Sequence, residues 1–304
     1  MIETSNLFIT QLLLLSLIIV GLISAKTRIV DEHTHSALTD LILNIFLPCT
    51  ILSSFFGTKR SQLLSMGIVM VISLGILAVS YVLGKYLLYR RAGPEQKKVL
   101  LYATIITNAS FIGNPVIESI FGRAALIYSA VYLVPLRVAL WTVGLIIFTG
   151  GKGNLRKVVF HPCLIATYLG LLLMLIEFDP PPFVTRLVFT LGECTTPLSM
   201  MVVGCVLGLV KAKNLFSGLT LYYSFIRLVL LPLLAVGGLL IFRPDPVISG
   251  VSVILCATPA AVTTSILAGK YKGDNELASR IIFVSTLLSI LTIPCMVWLL
   301  IKAF

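Results

Sequence analysis

A chain of 304 residues that is 58% hydrophobic and only 12% charged, with a mean hydropathy of +1.05, is not an ordinary soluble globule, which carries roughly 25% charged residues. The net charge of +11 does not point to nucleic acid, because the basic residues are scattered between apolar runs rather than gathered on one element. A membrane span consumes about 20 apolar residues, so the length is used up by spans and leaves no separate soluble catalytic domain.

Apolar runs bounded by charge, glycine and proline predict an all-α polytopic protein with ten spans. They lie near 7–25, 38–57, 63–84, 99–121, 125–149, 160–177, 184–210, 214–242, 247–269 and 278–302. Glu3 and the lack of a basic leader predict that the first span is retained rather than cleaved. The six cysteines (Cys49, Cys163, Cys194, Cys205, Cys256, Cys295) fall within apolar runs and suggest neither a disulfide framework nor a metal site. His33, His35 and His161 sit in or beside loops and do not form a metal box.

Fifteen basic residues fall on one side: Lys26, Arg28, Lys85, Arg90, Arg91, Lys97, Lys98, Lys152, Arg156, Lys157, Lys211, Lys213, Lys270, Lys272 and Arg280. Six fall on the other: Lys59, Arg60, Arg123, Arg186, Arg243 and Lys302. The positive-inside rule makes the first side cytoplasmic and puts both termini outside an inner, or cell, membrane. Two basic residues belong to neither side, Arg137 in span 5 and Arg227 in span 8.

Five spans per half is an odd number, so a repeat of 1–150 in 151–304 must be inverted across the membrane. Pro48 in span 2 matches Pro197 in span 7, and Pro94 before span 4 matches Pro244 before span 9. This register sets Asn108 opposite Thr258. Spans 4 and 9 each carry polar residues and a proline in mid-membrane. A proline inside a helix costs roughly 3 kcal/mol, yet it is welcome at a helix start after an Asn or Thr cap. Asn114-Pro115 and Thr258-Pro259 have that order, so each span reads as two half-helices with a new N-terminus inside the membrane. Such a terminus suits a carboxylate. Asn108, Ser110, Asn114, Thr258, Thr263, Thr264 and Ser265 are the side chains at hand to bind it.

The segments LNIFLPC (43–49), TNASFIGNPVIESIFG (107–122) and ATPAAVTTSILAGKYKGDNELAS (257–279) resemble the auxin efflux carrier family. That family includes plant PIN carriers and bacterial permeases for malate and malonate. The resemblance implies a fold like that of bile acid:sodium symporters, with spans 4 and 9 crossing at their breaks and substrate at the crossing. It puts Asn114 and Pro115 on one side of that crossing and Thr258, Pro259 and Ala260 on the other. It further implies a dimerising scaffold of spans 1, 2, 6 and 7 beside a mobile bundle of spans 3, 4, 5, 8, 9 and 10. The short link GGKGNLRK (150–157) is the compact, prokaryote-like form. Thr263 and Thr264 depart from the resemblance, standing where an asparagine-containing stretch is expected.

The intramembrane charges admit three readings. Arg137 and Arg227 can form structural ion pairs with Glu118, Glu193 or Asp40. One of them, Arg137 first, can grip a substrate carboxylate bidentately. Or Glu118 or Glu193 can carry a coupling proton. Asn44 falls opposite Glu193 in the repeat, so both halves place a polar group one turn before the span 2 and span 7 prolines. No nucleotide-binding or cofactor motif is present, and an intramembrane enzyme lacks its paired Asp or Ser–His set. The expected function is secondary transport of small organic anions, mono- or dicarboxylates, by an elevator movement. A sodium- or proton-coupled symporter of a bile-acid-like or neutral solute is the alternative.

Overall fold

A computed structural model of the protein describes residues 4–88, 92–149, 159–209 and 215–303. Glu3, the basic residues Arg90, Arg91, Lys152, Arg156, Lys157, Lys211 and Lys213, and the 150–157 link lie outside the described residues. Within them the chain is all-helical: α1 (Thr4–Lys26), α2 (Glu32–Ser54), α3 (Arg60–Leu88), α4 (Pro94–Ile105), α5 (Asn114–Phe121), α6 (Arg123–Phe148), α7 (Pro162–Ile176), α8 (Pro182–Leu209), α9 (Gly218–Phe242), α10 (Pro246–Cys256), α11 (Thr263–Lys270) and α12 (Asn275–Ala303). Six of these, α2, α3, α6, α8, α9 and α12, are long and apolar enough to cross a membrane. Exposed Leu64 and Val71 on α3, Ile241 and Phe242 on α9 and Leu291 on α12 suit a lipid surround.

Local chemistry sets the helix starts. Pro94, Pro162, Pro182 and Pro246 sit in the first turn of α4, α7, α8 and α10, where their missing N–H costs nothing. Asp245 caps α10 by accepting the Val247 N–H at 2.8 Å. Helix α2 begins six residues before the predicted start at 38, because Asp31 Oδ1 accepts the Thr34 N–H at 2.7 Å and draws the polar 32–37 stretch into the helix. Two interior prolines leave a different mark. Pro48 cannot bond the Asn44 carbonyl, nor Pro232 that of Leu228, and the turns before them widen into π-helix at Ile42–Phe46 and Ile226–Leu230.

Packing follows small residues. Helices α1 and α8 run against each other so closely that a Cβ on Gly204 would lie 1.9 Å from the Ile18 carbonyl oxygen, and one on Gly21 2.0 Å from that of Met201. Helix α2 packs on α7 and α8, where Thr50 Oγ1 donates to the Gly192 carbonyl at 3.0 Å and lies 2.8 Å from Thr195 Oγ1. Helix α3 packs on α6, with Ser73 Oγ donating to the Tyr132 carbonyl at 2.6 Å. Helices α4, α9, α11 and α12 share a second apolar core around Tyr102, Tyr223, Ile226 and Ile281. Across it Tyr223 Oη donates to the Ala103 carbonyl at 2.7 Å.

Candidate functional site: two broken helices joined by their backbones

Helix α4 stops when Ile106, its N–H still bonded to the Tyr102 carbonyl, turns extended at φ −103°, ψ 120°. The chain resumes through a π-helical turn at Ala109–Gly113 that leads into α5. Helix α10 stops at Cys256, and α11 starts only at Thr263. Within the membrane, backbone freed this way must find partners in protein or water. Here each break supplies the other. Thr107 and Ala260 face one another in an antiparallel bridge, the Asn108 N–H donates to the Pro259 carbonyl at 2.9 Å, and the Ala261 N–H reaches the Ile106 carbonyl at 3.4 Å. Pro259 has no N–H to return, and the Asn108 carbonyl instead accepts the Ile112 N–H at 3.1 Å. Ser285 Oγ on α12 accepts the Ala260 N–H at 3.2 Å. Thr258 Oγ1 donates to the Leu255 carbonyl at 2.7 Å and lies 3.0 Å from Thr107 Oγ1.

The breaks are displaced from the predicted cap-and-proline positions. In the first, the interruption is at 106–108 and Pro115 sits in the first turn of α5, behind a π-helical turn like those before Pro48 and Pro232. In the second, Thr258 and Pro259 lie in the extended bridge rather than at a helix start. The residues that face each other across the crossing are Thr107 and Ala260.

Asn108, Thr258 and Pro259 come together at the bridge, all buried. Ser110 is half-buried in the π turn. Gly113 lets that turn approach α10, since a Cβ there would lie 2.6 Å from Leu255 Cδ2. Asn114 is buried and turned to α6, where its Oδ1 accepts a hydrogen bond from Ser129 Oγ. Thr263 lies 2.9 Å from Tyr102 Oη, tying α11 to α4. The buried Thr264 hydroxyl has no hydrogen-bond partner among the described residues.

The charges pair differently from expectation. Glu118 and Glu193 do meet a cation, but it is Arg123 at the start of α6, at 3.3 and 3.7 Å, with Thr196 Oγ1 donating to Glu118 at 3.1 Å. Arg123 also lies over the Phe189 ring, 4.8 Å from its centroid. Arg123 follows the Gly122 turn, whose φ of +78° brings the chain back over α5, so a residue that reads as a loop charge becomes the link to α8. Asn44 is exposed and donates to the Asp40 carbonyl of its own helix. Neither Arg137 nor Arg227 has an ion pair among the described residues. Arg137 is 8% exposed and sits beside His161 and Cys163, with Nη1 and Nη2 unbonded. Arg227 is 2% exposed and lines a pocket of about 260 Å³ together with Thr107, Ser73, Ser80 and Tyr132.

Sequence reasoning took Tyr102 as structural and did not single out Thr107, Ser129 or Ser285. A serine in a membrane helix ordinarily satisfies itself on the preceding turn. Ser285 does that too, donating to the Ile281 carbonyl at 2.7 Å, and uses its free lone pair for Ala260.

The whole chain has known relatives. An uncharacterized transporter of Methanothermobacter thermautotrophicus is 28% identical over 94% of this chain and 95% of its own length. An uncharacterized transporter of Methanocaldococcus jannaschii is 28% identical over 96% of this chain and 98% of its own. A Rhizobium meliloti protein named "Putative malonate transporter" is 28% identical over 48% of this chain and 46% of its own. These relatives are transporters rather than enzymes. The profile of the family described as "Membrane transport protein" matches residues 7–156 and 151–297. The chain is thus a multi-pass membrane protein that belongs to this transport family, the one that contains the auxin efflux carriers.

Proposed function

We propose that the protein is a secondary transporter of small organic anions, mono- or dicarboxylates, that binds its substrate at the crossing of α4–α5 with α10–α11 and moves it by elevator-type alternating access. The observation that carries this reading is the doubled interruption, with two backbones bonded to each other in the interior and polar groups gathered round them. Asn108, Ser110, Asn114, Pro115, Thr258, Pro259, Thr263 and Thr264 are the proposed substrate-facing residues, with a buried guanidinium supplying charge. The relative named for malonate transport supports the choice of an organic anion.

The proposed architecture is ten spans in two inverted halves, 1–150 and 151–304. A scaffold of α1, α2, α7 and α8 forms a homodimer in the inner membrane with both termini outside, and α3–α6 with α9–α12 move against it. The pattern of packing, α1 with α8 and α2 with α7 and α8, supports that division. Bile-acid-like or neutral cargo with sodium coupling is less well supported. Sodium needs a cage of oxygens, and the Glu118 carboxylate near the crossing is already held by Arg123 and Thr196.

Uptake into proteoliposomes across a panel of carboxylates, with sodium, pH and voltage gradients imposed one at a time, tests the reading. An inside-negative potential contributes about 2.3 kcal/mol per charge per 100 mV, so uncoupled anion flux must respond to voltage. Asn114→Ala is expected to abolish uptake while the purified protein remains monodisperse. Unchanged kinetics in that variant reject the crossing as the binding site.

A further inference from the structure

We infer that the pocket at Arg227 is a carboxylate-binding subsite that holds one anionic group of the carried solute beside the crossing. The inference rests on the transport reading above and adds the residue that reads the charge. Arg227 is 2% exposed and hydrogen-bonds the Cys256 thiol, while among the described residues its Nε and Nη1 have no hydrogen-bond partner and no ion pair includes it. Its neighbours Cys256, Tyr132 and Tyr223 are neutral groups. A permanently charged guanidinium in such surroundings is costly to bury, and a residue of this kind in a membrane faces a functional path as a rule.

The space beside it is small, partly open and polar on one side. Its lining includes Ser73, Ser80, Thr107 and Tyr132 and holds no acidic residue among the described ones. Thr107 belongs both to this lining and to the bridge, so the pocket and the crossing are continuous. The unpartnered Nε–H and Nη1–H groups are charge-assisted donors available to carboxylate oxygens. Arg137, expected from sequence to be the reader of charge, faces His161 and Cys163 at the start of α7 and does not line this pocket. The geometry therefore reverses the order of the two arginines.

The test is ligand binding to the purified full chain in nanodiscs, by calorimetry and thermal shift, with malonate, its uncharged diamide malonamide, and chloride. For the wild type, malonate is expected to bind at least tenfold more tightly than the diamide, and chloride to give no comparable shift. In Arg227→Gln the two organic ligands are expected to bind alike, at the wild-type diamide level. Arg227→Lys, which keeps the charge and loses the guanidinium geometry, is expected to fall between, and serves if the Gln variant does not fold. Wild-type discrimination retained in the folded Gln or Lys variant overturns the subsite and leaves anion transport standing. Equal binding of malonate and diamide by the wild type also overturns it. Stabilisation by chloride equal to that by malonate, lost in the variants, would make the site one for a resident inorganic ion and overturn it too. If no carboxylate of the wider panel is transported by the wild type, the transport reading itself fails.

Discussion

The backbone N–H of Asn108 donates to the carbonyl of Pro259 at 2.9 Å, so two residues far apart in sequence hold each other's chain open in the interior. The consequence is structural economy: a polar, non-helical stretch of backbone survives in apolar surroundings because its unpaired groups are matched to another such stretch. It also means that the two breaks cannot be altered independently.

Ser285 on α12 is the third party to that arrangement, through its acceptor contact with the Ala260 N–H. Ser285→Ala removes the acceptor and leaves a buried donor unsatisfied, which costs about 1–3 kcal/mol. A lowered unfolding midpoint, with partial recovery in Ser285→Thr, is the expected result. An unchanged midpoint would show that the bridge does not depend on α12.

Thr264 makes the opposite case, because its buried hydroxyl has no partner to lose. Thr264→Val is nearly isosteric and removes an unsatisfied group, so folding stability should hold or rise by up to about 1–3 kcal/mol. If the hydroxyl serves the substrate, affinity drops about tenfold in the same variant, as a lost hydrogen bond of about 1.4 kcal/mol requires. A variant that is both as stable and as avid as the wild type removes Thr264 from the site.

Arg123 joins Glu118 on α5 to Glu193 on α8. These groups are partly exposed, and each such pair is worth about 0–1 kcal/mol, so Arg123→Gln should barely move the unfolding midpoint. If α5 and α8 separate in each transport cycle, the lost contact speeds that step. The expected outcome is a raised maximal flux at nearly constant stability; an unchanged flux argues that the contact persists throughout the cycle.

Gly204 and Gly21 set the α1–α8 distance. Gly204→Ala drives a methyl group into the Ile18 backbone, and neither backbone can turn aside as a side chain would. Overpacking of this kind costs about 1–3 kcal/mol or more. Gly237→Ala, at an α9 position where a Cβ meets nothing within 4 Å, is the control and should be silent in the same melting assay.

The helical elements were legible in the chain because apolar run length and the chemistry of their ends are local properties. Helix α10 starts at Pro246, one residue from the expected 247, whereas α4 starts at Pro94, ahead of the expected 99 because proline is at home in a first turn. The interruptions in spans 4 and 9 were legible as well, since asparagine, threonine and proline in mid-membrane contradict an unbroken helix. Their positions were not. A proline shows that a hydrogen bond is missing, but the break settles where the freed groups find partners, and Thr107, Ala260 and Ser285 are partners only in three dimensions. The same holds for charge. Sequence alone determined that Arg137 and Arg227 lie among apolar residues and that Glu118 and Glu193 lie near prolines. Tertiary structure decided that Arg123 takes both carboxylates and that Arg227 has no ion pair among the described residues, because electrostatic pairing depends on distances of a few ångström that chain spacing does not encode.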